Sequence, residues 1–82
     1  MPTVFRQEGF DLMIYTLDHE PAHVHVWKAG KEVVINLGNV NQAPYIRDNN
    51  GMSNRNEKKA LKIAAINQDF LLAEWRRFHG NA

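Results

Sequence analysis

The chain of 82 residues has no cysteine and only three prolines. The missing cysteine excludes a disulfide scaffold and every thiolate metal site. No apolar stretch approaches the length that would span a bilayer. The opening residues "MPTVFRQEGF" lack both the basic start and the apolar run of a secretory leader, so the cytoplasm is the expected location. A strong charge of either sign is missing too: ten Lys and Arg stand against nine Asp and Glu, for a net charge of +1. The molecule as a whole therefore has no field to draw it onto nucleic acid, and such affinity would have to come from a local patch. Bulk is also in short supply. A chain this small buries only somewhat over about 60% of its unfolded surface, which leaves room for one modest core in a single domain, 1–82. Further stability is expected from a small protein partner or a second copy of the chain.

What the sequence does contain is alternation. From Thr3 to Gln7 and from Phe10 to Thr16 the residues are β-formers, and Glu8-Gly9 between them suits a two-residue hairpin turn. That register sets Arg6 opposite Asp11 and Phe5 opposite Leu12. One face then carries Phe5, Phe10, Leu12 and Ile14. After the polar bend "LDHEPA", His23 to Lys28 and Glu32 to Leu37 form a second alternating pair around Ala29-Gly30. Val24, Val26, Val33, Ile35 and Leu37 share one face of that pair, while His23, His25 and Trp27 share the other, opposite Asn36, Val34 and Glu32.

The stretch "GNVNQAPYIRDNNGMSN" reads as an irregular connection with a short extended piece at Tyr45-Ile46. Ser53 or Asn54 then offers an N-cap, with Glu57 in the first helical turn. Ala60, Leu61, Ala64, Ala65, Leu71, Leu72, Trp75 and Phe78 recur at helical spacing, and Gly80 is a natural stop. Asn67 to Asp69 interrupts the stripe, which predicts two helices meeting near Asn67. The expected architecture is α+β: an antiparallel sheet of about four strands in meander order, packed by C-terminal helix.

The segment "DHEPAHVHVW" concentrates three of the four histidines. Its "HEPAH" matches the zinc-protease pattern H-E-x-x-H, which works only on a helix, where residues i and i+4 reach one metal. Pro21 removes an amide donor and pushes Glu20 away from helical angles. The Val alternation that follows favours a strand, so the match is accidental. On a strand, His23 and His25 point the same way at about 6.5 Å spacing. The pair resembles the H-x-H of cupins, but Ala29 and Gly30 stand where a cupin needs its Glu. It also resembles the histidine-triad hydrolases, with Trp27 in place of the third histidine.

Three readings of this face stay open. In the first, His23 and His25 act as metal-free acid and base on a phosphodiester, because imidazole titrates close to neutral pH, with Arg6, Lys28 or Lys31 meeting the developing charge. In the second, His19, His23 and His25 hold a divalent metal, with Asp18, Glu20 or the cross-strand Glu32 able to complete the set. In the third, the histidines only decorate the strand. Arg55, Lys58 or Lys59, and Lys62 line one helix face, and Arg76, Arg77 and His79 cluster near the C-terminus. Either group would suit phosphates, with Trp27 as a stacking platform for bases.

The order "VFRQEGF", "DHEPAHVHVWKAG" and "FLLAEWRRFHG" resembles the small bacterial domain of unknown function family 4160. The resemblance rests most on Arg6 and Gly9 and on the element Asp18, Glu20, Pro21, His23, His25 and Val26. It implies a compact α+β protein, encoded beside a second small protein in a toxin-antitoxin-like pair, and it carries no reaction with it. Two functions are therefore expected. The first is RNA binding or cleavage through the His-x-His face, without cofactor, using His23, His25, Arg6, Lys28, Trp27, Arg55, Lys59 and Lys62. The second is a non-enzymatic protein-binding module with structural histidines.

Overall fold

A computed structural model describes residues 3–80, so the extreme ends of the expected 1–82 domain lie outside it. The elements run β1 (Thr3–Gln7), β2 (Phe10–Met13), β3 (His23–Lys28), β4 (Lys31–Asn36), β5 (Tyr45–Asn50), α1 (Asn54–Ile66) and α2 (Gln68–His79). The strands form one antiparallel sheet in the order β1-β2-β3-β4-β5. This is the expected α+β meander with five strands where about four were expected.

The extra strand, β5, is the correction. Its sequence "YIRDNN" is poor in β-formers and most of it is exposed, so the apolar alternation that marks a buried strand is missing. Edge pairing to β4 holds it instead, through Ile35 with Ile46 and Val34 with Asp48, with an irregularity between them. Asn49 then turns the chain towards α1. Its Oδ1 accepts from Met52 N at 2.8 Å, and its Nδ2 donates to Glu57 Oε1.

Both tight hairpins have the expected register: Arg6 pairs with Asp11, and Lys28 with Lys31. Glu8 and Gly9, and likewise Ala29 and Gly30, all take positive φ, as a two-residue turn matched to the strand twist requires.

Alternation sends Phe10, Leu12, Ile14, Val24, Val26, Val33, Ile35 and Leu37 to one face, where each is fully buried. Side chains of this size stabilise a fold by about 1.5–3 kcal/mol apiece when buried. The helices cover that face with Ala60, Ile63, Ala64, Leu71 and Trp75. Helical phase puts Ile63 inward and leaves Ala65 exposed, a shift of the expected stripe. Ser53 caps α1 by accepting from Asn56 N at 3.2 Å, and the helices meet at Asn67, whose Nδ2 donates to Ile63 O. Among the described residues no helix is long and apolar enough to cross a membrane.

The meander places the tight turns and the start of α1 at one end of the sheet. The β2–β3 and β4–β5 connections lie at the other. α2 runs along this second end, tying the β4–β5 loop through Gln68 and the β2–β3 loop through Trp75 and His79.

Candidate functional site

Residues 14–22 form an irregular connection, and β3 begins only at His23. The pentad "HEPAH" therefore has no helix to bring its ends together. Strand alternation turns His23, His25 and Trp27 to the sheet face opposite the helical core. There the β2–β3 loop returns over them and delivers Asp18.

Asp18 Oδ2 lies 3.3 Å from His23 Nε2 and 3.1 Å from His25 Nε2. The same carboxylate accepts from Tyr15 N, which fixes it against its own loop. The far nitrogens are also held: His23 Nδ1 is 2.8 Å from Pro21 O, and His25 Nδ1 is 2.9 Å from Glu32 Oε2. Glu32 in turn accepts from Asn50 Nδ2 at 2.8 Å, so the chain of contacts crosses from the β2–β3 loop to the edge strand. Of the residues expected to complete the histidine pair, Asp18 meets both Nε2 atoms, and Glu32 meets only the far nitrogen of His25. His19 and Glu20 are exposed on the loop.

Aromatic rings wall this cluster. Tyr15 lies 4.5 Å from the His25 ring and accepts the Trp27 indole N–H on its hydroxyl. Trp75 of α2 packs against His23 at 5.1 Å and stacks on His79 at 3.8 Å. Its Nε1 donates to Glu20 Oε2, and the His79 ring bridges Trp75 O and Tyr15 O. His23 is 5% exposed as a result. Trp75 was legible only as a core residue of a helical stripe, and nothing in its spacing pointed to a histidine across the molecule.

The other candidates lie elsewhere. Arg6 shares the sheet face with Trp27, and its Nε donates to Asp11 at 2.8 Å. Lys28 points to the opposite face, with Nζ over the Phe10 ring and bound to Glu8 O. Arg55, Lys59 and Lys62 stand exposed on α1, beyond the core from the histidines, with Lys59 paired to Glu8 at 3.3 Å. The cations expected to meet phosphate and the histidine pair are thus not assembled into one site.

The model of the family described as Domain of unknown function (DUF4160) matches residues 9–76, most of the chain. This chain belongs to that family. No curated protein and no solved structure matches it. The matched span of this DUF4160 chain contains Asp18, both histidines of β3, Glu32 and Trp75, and ends before His79.

Beside Trp75, at the loop end, lies a groove of about 470 Å³. Pro21, Asn36, Tyr45, Leu72, Trp75 and Arg76 are among the residues that line it. Asn36 is buried there; its Nδ2 donates to Tyr45 Oη, while its Oδ1 has no partner among the described residues.

Proposed function

We propose that this DUF4160 chain is the binding component of a two-protein, toxin-antitoxin-like bacterial module. It engages a small protein partner through the loop end of its sheet, and its histidines hold structure. One observation carries the reading. The two loops that wall the groove each carry a nearly bare aliphatic side chain, Leu17 at 87% and Val40 at 88% exposure. Isolated apolar residues on a surface need no explanation. Two of them on the loops that wall an aromatic-lined groove, whose buried Asn36 acceptor is unpaired among the described residues, offer apolar surface around a socket that a partner can enter. A partner would fill the groove with an apolar side chain and donate a hydrogen bond to Asn36 Oδ1.

The geometry favours this over metal-free RNA cleavage. Every ring nitrogen of His23 and His25 already faces a fixed oxygen, which leaves none facing a substrate as general acid or base. The cations expected to meet phosphate lie at the other end of the sheet or on the far side of the core, and Arg6 and Lys59 are paired there with Asp11 and Glu8.

Co-expression with the product of the adjacent gene tests the proposal. A stable heterodimer should form, and Leu17→Asp with Val40→Asp should weaken it about tenfold or more by calorimetry, while Arg55→Ala with Lys62→Ala leaves it intact. A complex indifferent to the loop-end changes, or RNA binding lost with Arg55 and Lys62, would overturn the assignment.

A further inference from the structure

We infer that Asp18, His23 and His25 form a binding site for a single first-row divalent cation of the zinc type. The argument starts from hydrogen-bond inventory. A neutral imidazole has one N–H and one lone pair, and carbonyl and carboxylate oxygens only accept. Pro21 O claims the Nδ1 proton of His23, and Glu32 Oε2, the nearer of two carboxylates, claims that of His25. Both Nε2 atoms then bring a lone pair to within 3.3 Å of Asp18 Oδ2, an atom that can donate nothing to them.

Three ligand atoms, one from each residue, lie within 4.8 Å of one another. Zinc bonds to nitrogen and oxygen near 2.0–2.1 Å, which makes the edge of a tetrahedral site about 3.3 Å by geometry. Two of the three edges, the nitrogen-to-oxygen separations of 3.3 and 3.1 Å, have that length; the third, between the imidazole nitrogens, is bounded by the 4.8 Å span of the set and would close towards about 3.3 Å on binding. A cation at the centre would turn facing lone pairs into a ligand set.

The surroundings have the form that metal-binding histidines use. Such a ring donates its other N–H to a backbone carbonyl or a carboxylate, which sets its tautomer and orientation. Here one ring has each kind of partner. Two imidazoles with one carboxylate suit zinc or a neighbouring transition ion better than magnesium or calcium, which prefer oxygen. Asp18 and His25 are partly exposed, at 18% and 15% of their side chains, and a water would take the fourth position. The ion would fasten the β2–β3 loop onto β3, holding the wall of the groove from behind. Glu32 is a positioning residue in this arrangement.

Untagged protein stripped with chelator and titrated with Co²⁺ and Zn²⁺ provides the test. One Co²⁺ per chain should bind with the visible ligand-field bands of a low-coordinate site, and saturating Zn²⁺ should raise the thermal midpoint. Asp18→Asn and His25→Ala should abolish both effects, Glu32→Gln should weaken Zn²⁺ about tenfold, and His19→Ala should change neither. Circular dichroism of the variants without metal separates loss of the site from loss of the fold. Should Asp18→Asn or His25→Ala unfold, the Co²⁺ stoichiometry and spectrum of the folded wild type, set against His19→Ala, decide the matter. No stoichiometric uptake, or equal loss with His19→Ala, would refute the site.

Discussion

At one end of the sheet, Glu8-Gly9 and Ala29-Gly30 reverse the chain within two residues each. At the other, Tyr15 to Ala22 and Leu37 to Pro44 wander before the next strand begins. The tight end depends mostly on the sheet itself: Gly residues that accept positive φ, a cross-strand Arg6–Asp11 pair, and Lys28 folded back on Phe10 and Glu8, with one exposed pair from Lys59 of α1 to Glu8. The loop end depends on α2. Gln68 Nε2 donates to Leu37 O, Asn39 O and Gln42 O, and Trp75 joins Glu20, 55 positions away. One end is therefore held mainly by contacts within the sheet, and the other by contacts with α2. The functional candidates, the histidine cluster and the groove, sit at the dependent end, where a ligand or partner has most to gain by ordering the chain.

Removing Trp75 should break that dependence most severely. Trp75→Ala opens a void between His23, His79 and Leu72 and leaves Glu20 without its donor, at a cost of about 3–5 kcal/mol. Chemical denaturation should show the loss, and Trp75→Phe should recover part of it. If Trp75→Ala cost no more than an ordinary surface change, the loop end would owe its order to something other than α2.

Gln68→Ala should have a smaller and more local effect. One amide group serves three carbonyls of the β4–β5 loop, and losing it should cost about 1–3 kcal/mol. Hydrogen exchange localises the change. The amides of Asn39 and Gln42, which bond each other's carbonyls across the loop, should lose protection, while those of Lys28 and Lys31 keep theirs. Equal loss at both ends would mean that the sheet opens as one unit.

The same contrast explains what could be read from the sequence. The two hairpins, with their registers and buried faces, were legible because each rests on a period of two and a Gly at a fixed offset. Of β5 only the start, Tyr45-Ile46, was, because the Arg, Asp and Asn that follow on this edge strand take their pairing from β4 and show no pattern of their own. In the site, Asp18 and Glu32 could be named as companions of the histidine pair, because they are close in sequence or across a known register. The choice of Asp18 over His19 depends on how the loop closes, which adjacent residues cannot reveal. The Trp75 contact with His23 and the groove beside it required the path of α2, which only the tertiary packing supplies.

Ala29→Gly offers the mildest change and the sharpest comparison. Ala29 is exposed at φ +51°, a conformation that costs an L-residue about 1–2 kcal/mol. Glycine removes that strain and returns about 0.5–1 kcal/mol through the entropy of the unfolded chain. A net gain of about 0.5–1 kcal/mol should appear in the denaturation midpoint. At the loop end the corresponding exchange runs the other way: a Cβ on Gly38, at φ +69°, would collide with Gln42 O and Ala43 O, so Gly38→Ala must destabilise. Because Ala29 and Gln68 lie at opposite ends of the sheet and share no hydrogen-bond partner, Ala29→Gly combined with Gln68→Ala should be additive within about 0.5 kcal/mol. Gly38→Ala combined with Gln68→Ala should not be, since both act on Gln42 O. Strong coupling between Ala29 and Gln68 would show that the turns and the loops form a single cooperative unit, and the division between a self-sufficient end and a dependent one would have to be given up.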